Sequence, residues 1–159
     1  MIKDIIGMAC DHAGYEMKEE IKSFLENEGH EVIDFGTNNL ASCDLSDYIY
    51  PAALAVSKCE VERGVFVDGV GYGSAMIANK ISGVFAAVCQ DPFCASLARS
   101  HSDTNVLCLG GKIIGSALAL EIVKTWLYTD YLSNIEKYSK RVKKVQEIDR
   151  KHVNINIEK

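Results

Sequence analysis

The chain has 159 residues, 48% apolar and 25% charged, with a formal net charge of -5; that is about one domain, large enough to bury a core without disulfides. The acidic balance argues against a general nucleic-acid binder, which carries a basic excess. No apolar run approaches the ~20 residues that cross a bilayer, and no signal-peptide pattern opens the chain, so it reads as a cytoplasmic protein with no membrane partner.

Apolar runs of strand length alternate with helical patterns. Ile5 to Ala9 reads as a strand, and Glu16 to Glu28 as a helix with Met17, Ile21, Phe24 and Leu25 on one face. Glu31 to Phe35 is a second strand, followed by a polar loop to about Ser46. Tyr48 to Cys59 is the next helix, with Pro51 expected in its first turn. Gly64 to Val67 forms a third strand, Ser74 to Ile81 a helix, and Val84 to Cys89 a fourth strand. Asp91-Pro92 opens a helix to about Arg99 as N-cap and N1. Asn105 to Leu109 is a fifth strand, Gly110-Gly111 a turn, and Ile113 to Leu127 a long helix.

This strict alternation predicts an α/β three-layer sandwich, a five-stranded parallel sheet covered on both faces. From about Asn134 to Lys151 one more helix forms a C-terminal arm, with Tyr138, Val142, Val145 and Ile148 near one stripe. Lys137, Lys140, Arg141, Lys143 and Lys144 make its other face basic. The arm either docks on its own sheet or packs on a second subunit and brings cations to that subunit's pocket. Val153 to Lys159 is expected to fray. No linker or repeat divides the chain, so residues 1–159 form a single domain.

Ligands of open parallel sheets bind beyond the C-terminal ends of the strands. Asp11-His12 follows the first strand, Asp68 with Gly69, Gly71 and Gly73 the third, and Asp91 the fourth. Glycines at alternate positions before a helix let backbone N–H groups close around an anion. Gly69-x-Gly71-x-Gly73 is not G-x-G-x-x-G and lies after the third strand, which disfavours nicotinamide or flavin. No G-K-S/T follows, which excludes a nucleoside triphosphatase. His101 precedes the fifth strand, so it reaches this pocket only by a folded-back loop or from a partner subunit. His30 and His152 have no such context and read as surface residues; Asp11 and Asp91 also serve as simple caps, the more natural reading for Asp91 before Pro92. No two of the six cysteines have C-x-x-C spacing, and Cys10, Cys89 and Cys108 lie in or beside apolar runs as small hydrophobes.

Gly7-Met8-Ala9-Cys10-Asp11-His12-Ala13-Gly14-Tyr15, Gly71-Tyr72-Gly73 with Ala78-Asn79-Lys80, Arg99 to Leu107 and Gly110-Gly111-Lys112-Ile113-Ile114-Gly115 together resemble one family. It is that of type B ribose-5-phosphate isomerases and galactose-6-phosphate isomerase subunits, and the resemblance covers nearly the whole chain. It implies a Rossmann-like fold, dimers or tetramers with pockets between subunits, and no metal or organic cofactor. It also implies interconversion of an aldose phosphate and a ketose phosphate. By position His101 would open the sugar ring, with Ser102 beside it. Asp11 and His12 would meet the sugar, and the N–H groups from Gly69 to Ser74 would hold the enediolate. Lys112, Lys137 and Arg141 would supply cations for the phosphate.

The chain departs from the family inside the pocket. The usual C-G-T-G-x-G places a cysteine base where Asp68 stands, and Val70 replaces the threonine. D-Y-P appears as Asp44-Leu45-Ser46, and R-H-x-x-R as Lys137 to Arg141. Asp68 is therefore the expected proton-transfer base, its ordinary pKa of ~4 needing desolvation to become useful. The alternatives are a half-site subunit acting beside a paralogous partner, as in the aspartate-bearing galactose-6-phosphate isomerase subunit, or a sugar-phosphate-binding protein without turnover.

Overall fold

The computed structural model describes residues 4–152, so the expected frayed end lies outside the described residues. Five strands, β1 (Ile5–Cys10), β2 (Glu31–Asp34), β3 (Arg63–Asp68), β4 (Ala86–Val88) and β5 (Val106–Gly110), form one parallel sheet in the order β2-β1-β3-β5-β4. Between them run α1 (Tyr15–Asn27), α2 (Ser46–Ser57), α3 (Tyr72–Ala78) and α4 (Pro92–Ser100), followed by α5 (Ser116–Tyr128) and α6 (Glu136–His152).

The period of two along each strand sorts its side chains between two cores. Ile6, Met8 and Cys10 of β1, Val65 and Val67 of β3, and Leu107 and Leu109 of β5 pack against α1, α4 and α5. Ala9, Phe66, Val106 and Cys108 point the other way, onto α2 and α3. The expected three layers are present.

Element ends differ from the expected ones by one to three residues, and two differences have clear causes. Pro51 lies inside α2 rather than in its first turn, because the helix begins at Ser46. Helix α3 begins at Tyr72, since Gly71, at φ 85, sits left-handed at its N-cap and turns the chain immediately into the helix. The chain leaves β1 for β2 on one side and enters β3 on the other, so the sheet's switch point lies between β1 and β3.

Candidate active site

At that switch point the C-terminal ends of β1 and β3 present the first group of expected residues. Asp11 Oδ1 accepts the N–H groups of Ala13 at 2.9 Å and Gly14 at 3.1 Å, turning the chain from β1 into α1. Gly14 is required there, because a side chain would overlap the Val67 carbonyl. His12 stands beside this turn, half-buried. Its Nδ1 accepts the Cys43 N–H at 3.3 Å and lies 3.8 Å from Cys43 Sγ. The polar loop before α2 thus crosses the end of β1.

Asp68 ends β3 with 3% of its surface exposed. Its carboxylate turns back into the glycine loop: Oδ1 accepts the N–H groups of Val70, at 3.1 Å, and Gly71, and Oδ2 accepts that of Ser74 at 2.9 Å. The anion cradle that the glycines build is filled by the chain's own carboxylate, and three N–H groups expected to hold an enediolate are spent on it. Ser74 itself is fully buried, its hydroxyl without a hydrogen-bond partner among the described residues. Leu45 closes the loop from outside, so that a Cβ on Gly73 would lie 2.6 Å from Leu45 Cδ2 and 3.0 Å from Asp68 Oδ2. Lys112, in the turn after β5, donates its N–H to the Gly69 carbonyl at 3.0 Å and exposes its side chain beside the loop.

The second group assembles elsewhere. His101 caps the C-terminus of α4, stacked on Tyr138 of α6 with ring centroids 3.9 Å apart and planes 16° from parallel. The Lys137 ammonium lies 4.7 Å from the opposite ring's centroid, that of Tyr138, and Arg141 follows on the next turn. His101, Ser102, Tyr138, Arg141, Asn79 and Phe85 line a groove of about 440 Å³. The loop carrying His101 is pinned from behind: Arg99 bonds Asp103 at 3.0 Å, and Trp126 donates to Thr104 Oγ1 at 3.0 Å. Helix α6 docks on its own chain through Val142 and through Asp149, which accepts from Ser82 and Gly83 at 2.9 Å each. Its basic side chains, from Lys137 to Lys144, stay exposed, as do Val145 and Ile148.

These two groups cannot meet within one chain. Helix α4 runs back across the sheet, so His101 lies at the edge where the strands begin, whereas Asp11, His12, Asp68 and Lys112 lie where they end. Strand β5, five residues long, separates His101 from Lys112, a span of roughly 16 Å at 3.3 Å per residue.

Asp91 is an N-cap, accepting the Cys94 N–H at 2.8 Å, a bond that also holds its carboxyl below the usual range. His30 is not free on the surface; it is half-buried, its Nδ1 accepting the Asp4 N–H at 3.3 Å. Burial pushes the thiols of Cys10 and Cys89 up to about 12, and raises that of Cys108 well above the ordinary thiol value. No group of three or more His, Cys, Asp or Glu among the described residues is arranged to hold a metal ion. No helix among them is long and apolar enough to cross a membrane. Two residues of this region carried no local signal: Cys43, whose neighbour His12 is 31 positions away, and Tyr138, which reads as core.

Residues 6–145 match the model of a family described as Ribose/Galactose Isomerase. The chain is 39% identical over 146 residues to ribose-5-phosphate isomerase B of Escherichia coli (strain K12), covering 92% of this chain and 97% of that one. It is 36% identical to 4-deoxy-4-sulfo-D-erythrose isomerase of Clostridium sp. (strain MSTE9), covering 86% of each. Among solved structures, Clostridium thermocellum ribose-5-phosphate isomerase B superposes with a TM-score of 0.89 at 42% identity, over 93% of this chain and 99% of that one. With the fold, the glycine loop and these relatives in agreement, the chain belongs to the ribose/galactose isomerase family.

Proposed function

We propose that this chain interconverts an aldose phosphate and its ketose isomer through an enediolate, without a cofactor, in a site built from two copies of the chain. The observation that carries the reading is the division of the expected residues between opposite edges of one sheet. Asp11, His12 and Lys112 lie at one edge; His101, Ser102, Lys137 and Arg141 lie at the other. A two-fold partner running antiparallel brings the second edge of one protomer against the first edge of the other, and the symmetry makes two such sites.

Each group then has work to do. His101, held flat by Tyr138, passes a proton to the ring oxygen as the sugar opens. Asp11 and His12 bind the open-chain hydroxyls. Lys137 and Arg141, exposed on α6, draw in the terminal anion, and Arg141 offers it paired N–H groups. Relatives named for a ribose phosphate and for a sulfo-erythrose support an anionic end group as the shared feature of the substrates. Asp68, with three N–H donors on its carboxylate, anchors the loop and does not move the proton.

That enclosure of Asp68 also favours a second reading, a subunit that binds sugar phosphate and needs a paralogous partner for turnover. Incubating the pure chain with tetrose, pentose and hexose phosphates in deuterated water separates the two. Deuterium at C2 of at least one sugar, with its ketose partner appearing, supports the isomerase; binding without label across the panel overturns it.

A further inference from the structure

An isomerase of this kind needs a group that takes a proton from carbon, and with Asp68 enclosed that position is open. Resting on the isomerase reading above, we propose that the Cys43 thiol is this group, poised by His12. The segment that carries it spans the crevice: Cys43 touches His12 at the end of β1, and two residues later Leu45 packs on Gly73 beside Asp68. The segment thus bridges the β1 turn and the glycine loop, with Sγ at its His12 end. Two donors of one residue, the Cys43 N–H at 3.3 Å and its thiol at 3.8 Å, converge on His12 Nδ1. This arrangement makes Nδ1 the acceptor and leaves Nε2 to carry the ring hydrogen. A thiol next to an imidazole is the pairing that activates cysteine nucleophiles and bases.

None of the other five cysteines shares this setting. Cys10, Cys89 and Cys108 are buried; Cys59 lies exposed just beyond α2, and Cys94 exposed on α4 beside Asp91. Cys43 is half-buried, open enough to meet a sugar carbon.

The step balances within the sugar. Cys43 Sγ passes its proton to His12 Nδ1, and the thiolate takes the proton from C2 of the open-chain aldose. The C2–H pair becomes the C1=C2 double bond, and the carbonyl π pair moves onto O1. A proton then moves from O2 to O1, the thiol returns its proton to C1, and O2 becomes the ketone oxygen. His12 gives its proton back to Sγ, and no oxidant or reductant takes part.

Two measurements on the full-length protein test this. Iodoacetamide at neutral pH, with labelled peptides quantified by mass, should modify Cys43 about tenfold faster than Cys59 or Cys94, and His12→Ala should abolish the difference. In deuterated water, Cys43→Ser and Cys43→Ala should lose C2 labelling of the substrate by about a hundredfold or more, while that sugar phosphate still raises the variants' Tm. Labelling by Cys43→Ala at the wild-type rate would remove the thiol from the reaction and leave the isomerase reading intact. Alkylation of Cys43 no faster than of Cys59, with or without His12, overturns the pairing whatever the activity. A wild-type protein that labels no sugar phosphate overturns both readings together.

Discussion

His101 and Tyr138 stack with their ring centroids 3.9 Å apart, joining the end of α4 to the first turn of α6. This contact fixes the imidazole plane at the mouth of the groove that Arg141 also lines. An aromatic pair of this kind contributes about 1 kcal/mol beyond the area it buries. Its larger consequence is orientation. Tyr138→Ala should lower Tm by a few degrees and reduce kcat about tenfold through lost positioning, and Tyr138→Phe should restore both, since the hydroxyl is not part of the stack. Steady-state kinetics on the two variants, with Tm measured alongside, checks this; an equal loss in Tyr138→Phe would contradict it.

If catalysis needs one edge from each protomer, two inactive variants should rescue each other. His12→Ala removes a residue of one edge and His101→Ala a residue of the other. Mixed in equal amounts and allowed to exchange subunits, the two should regain about a quarter of wild-type activity. Half the dimers are then mixed, and each mixed dimer has one intact site of its two. Activity that stays at the level of the separate variants would mean that each site lies within a single chain.

Asp68 lends itself to a stability test. Replacing its carboxylate by an amide puts an NH2 group against N–H donors of Val70, Gly71 or Ser74, leaving at least one buried donor unsatisfied. Such a group costs about 1–3 kcal/mol. Asp68→Asn should therefore lower the urea midpoint of unfolding together with activity, and Asp68→Cys, which restores a thiol at that position, should lower it at least as much. A fully stable Asp68→Asn variant would show that the loop does not depend on this carboxylate.

The layers of the fold were legible because each strand alternates its faces: Ala9 between Met8 and Cys10, Phe66 between Val65 and Val67. That Asp11, His12 and Asp68 lie at one end of the sheet and His101 at the other was legible from the alternation of strand and helix, since every strand of a parallel sheet runs the same way; where α6 carries Lys137 and Arg141 was not. What local patterns do not carry is where a side chain turns. Asp68 was expected to face a substrate, and the left-handed backbone of Gly71 curls the loop's N–H groups onto it instead. The signal present was an aspartate followed by glycines, which also spells an Asx turn in which the carboxylate binds N–H groups two and three residues on. Cys43 gave no signal, because its meeting with His12 depends on how a loop of polar residues crosses from β2 to α2.

The buried thiols make the alkaline limit of stability predictable. Cys10 and Cys89, each raised from 9.0 to about 12 by burial, keep their protons in the folded state, as does Cys108, also raised by burial. Between pH 9 and 12 the unfolded chain releases those protons and the folded chain does not, so stability is intact below about pH 9 and drains as pH rises. Cys10 and Cys89 each contribute a slope of about 1.4 kcal/mol per pH unit across that window. The Tm should be nearly flat from pH 7 to 8.5 and fall steeply above pH 9.5. Cys89→Ala should flatten the fall while lowering Tm at neutral pH through the cavity it leaves. In the same protein at pH 8, Ellman's reagent should count three reactive thiols, those of Cys43, Cys59 and Cys94, and six only after unfolding. A count of six in the folded protein would mean that the sheet opens readily enough to expose its own core.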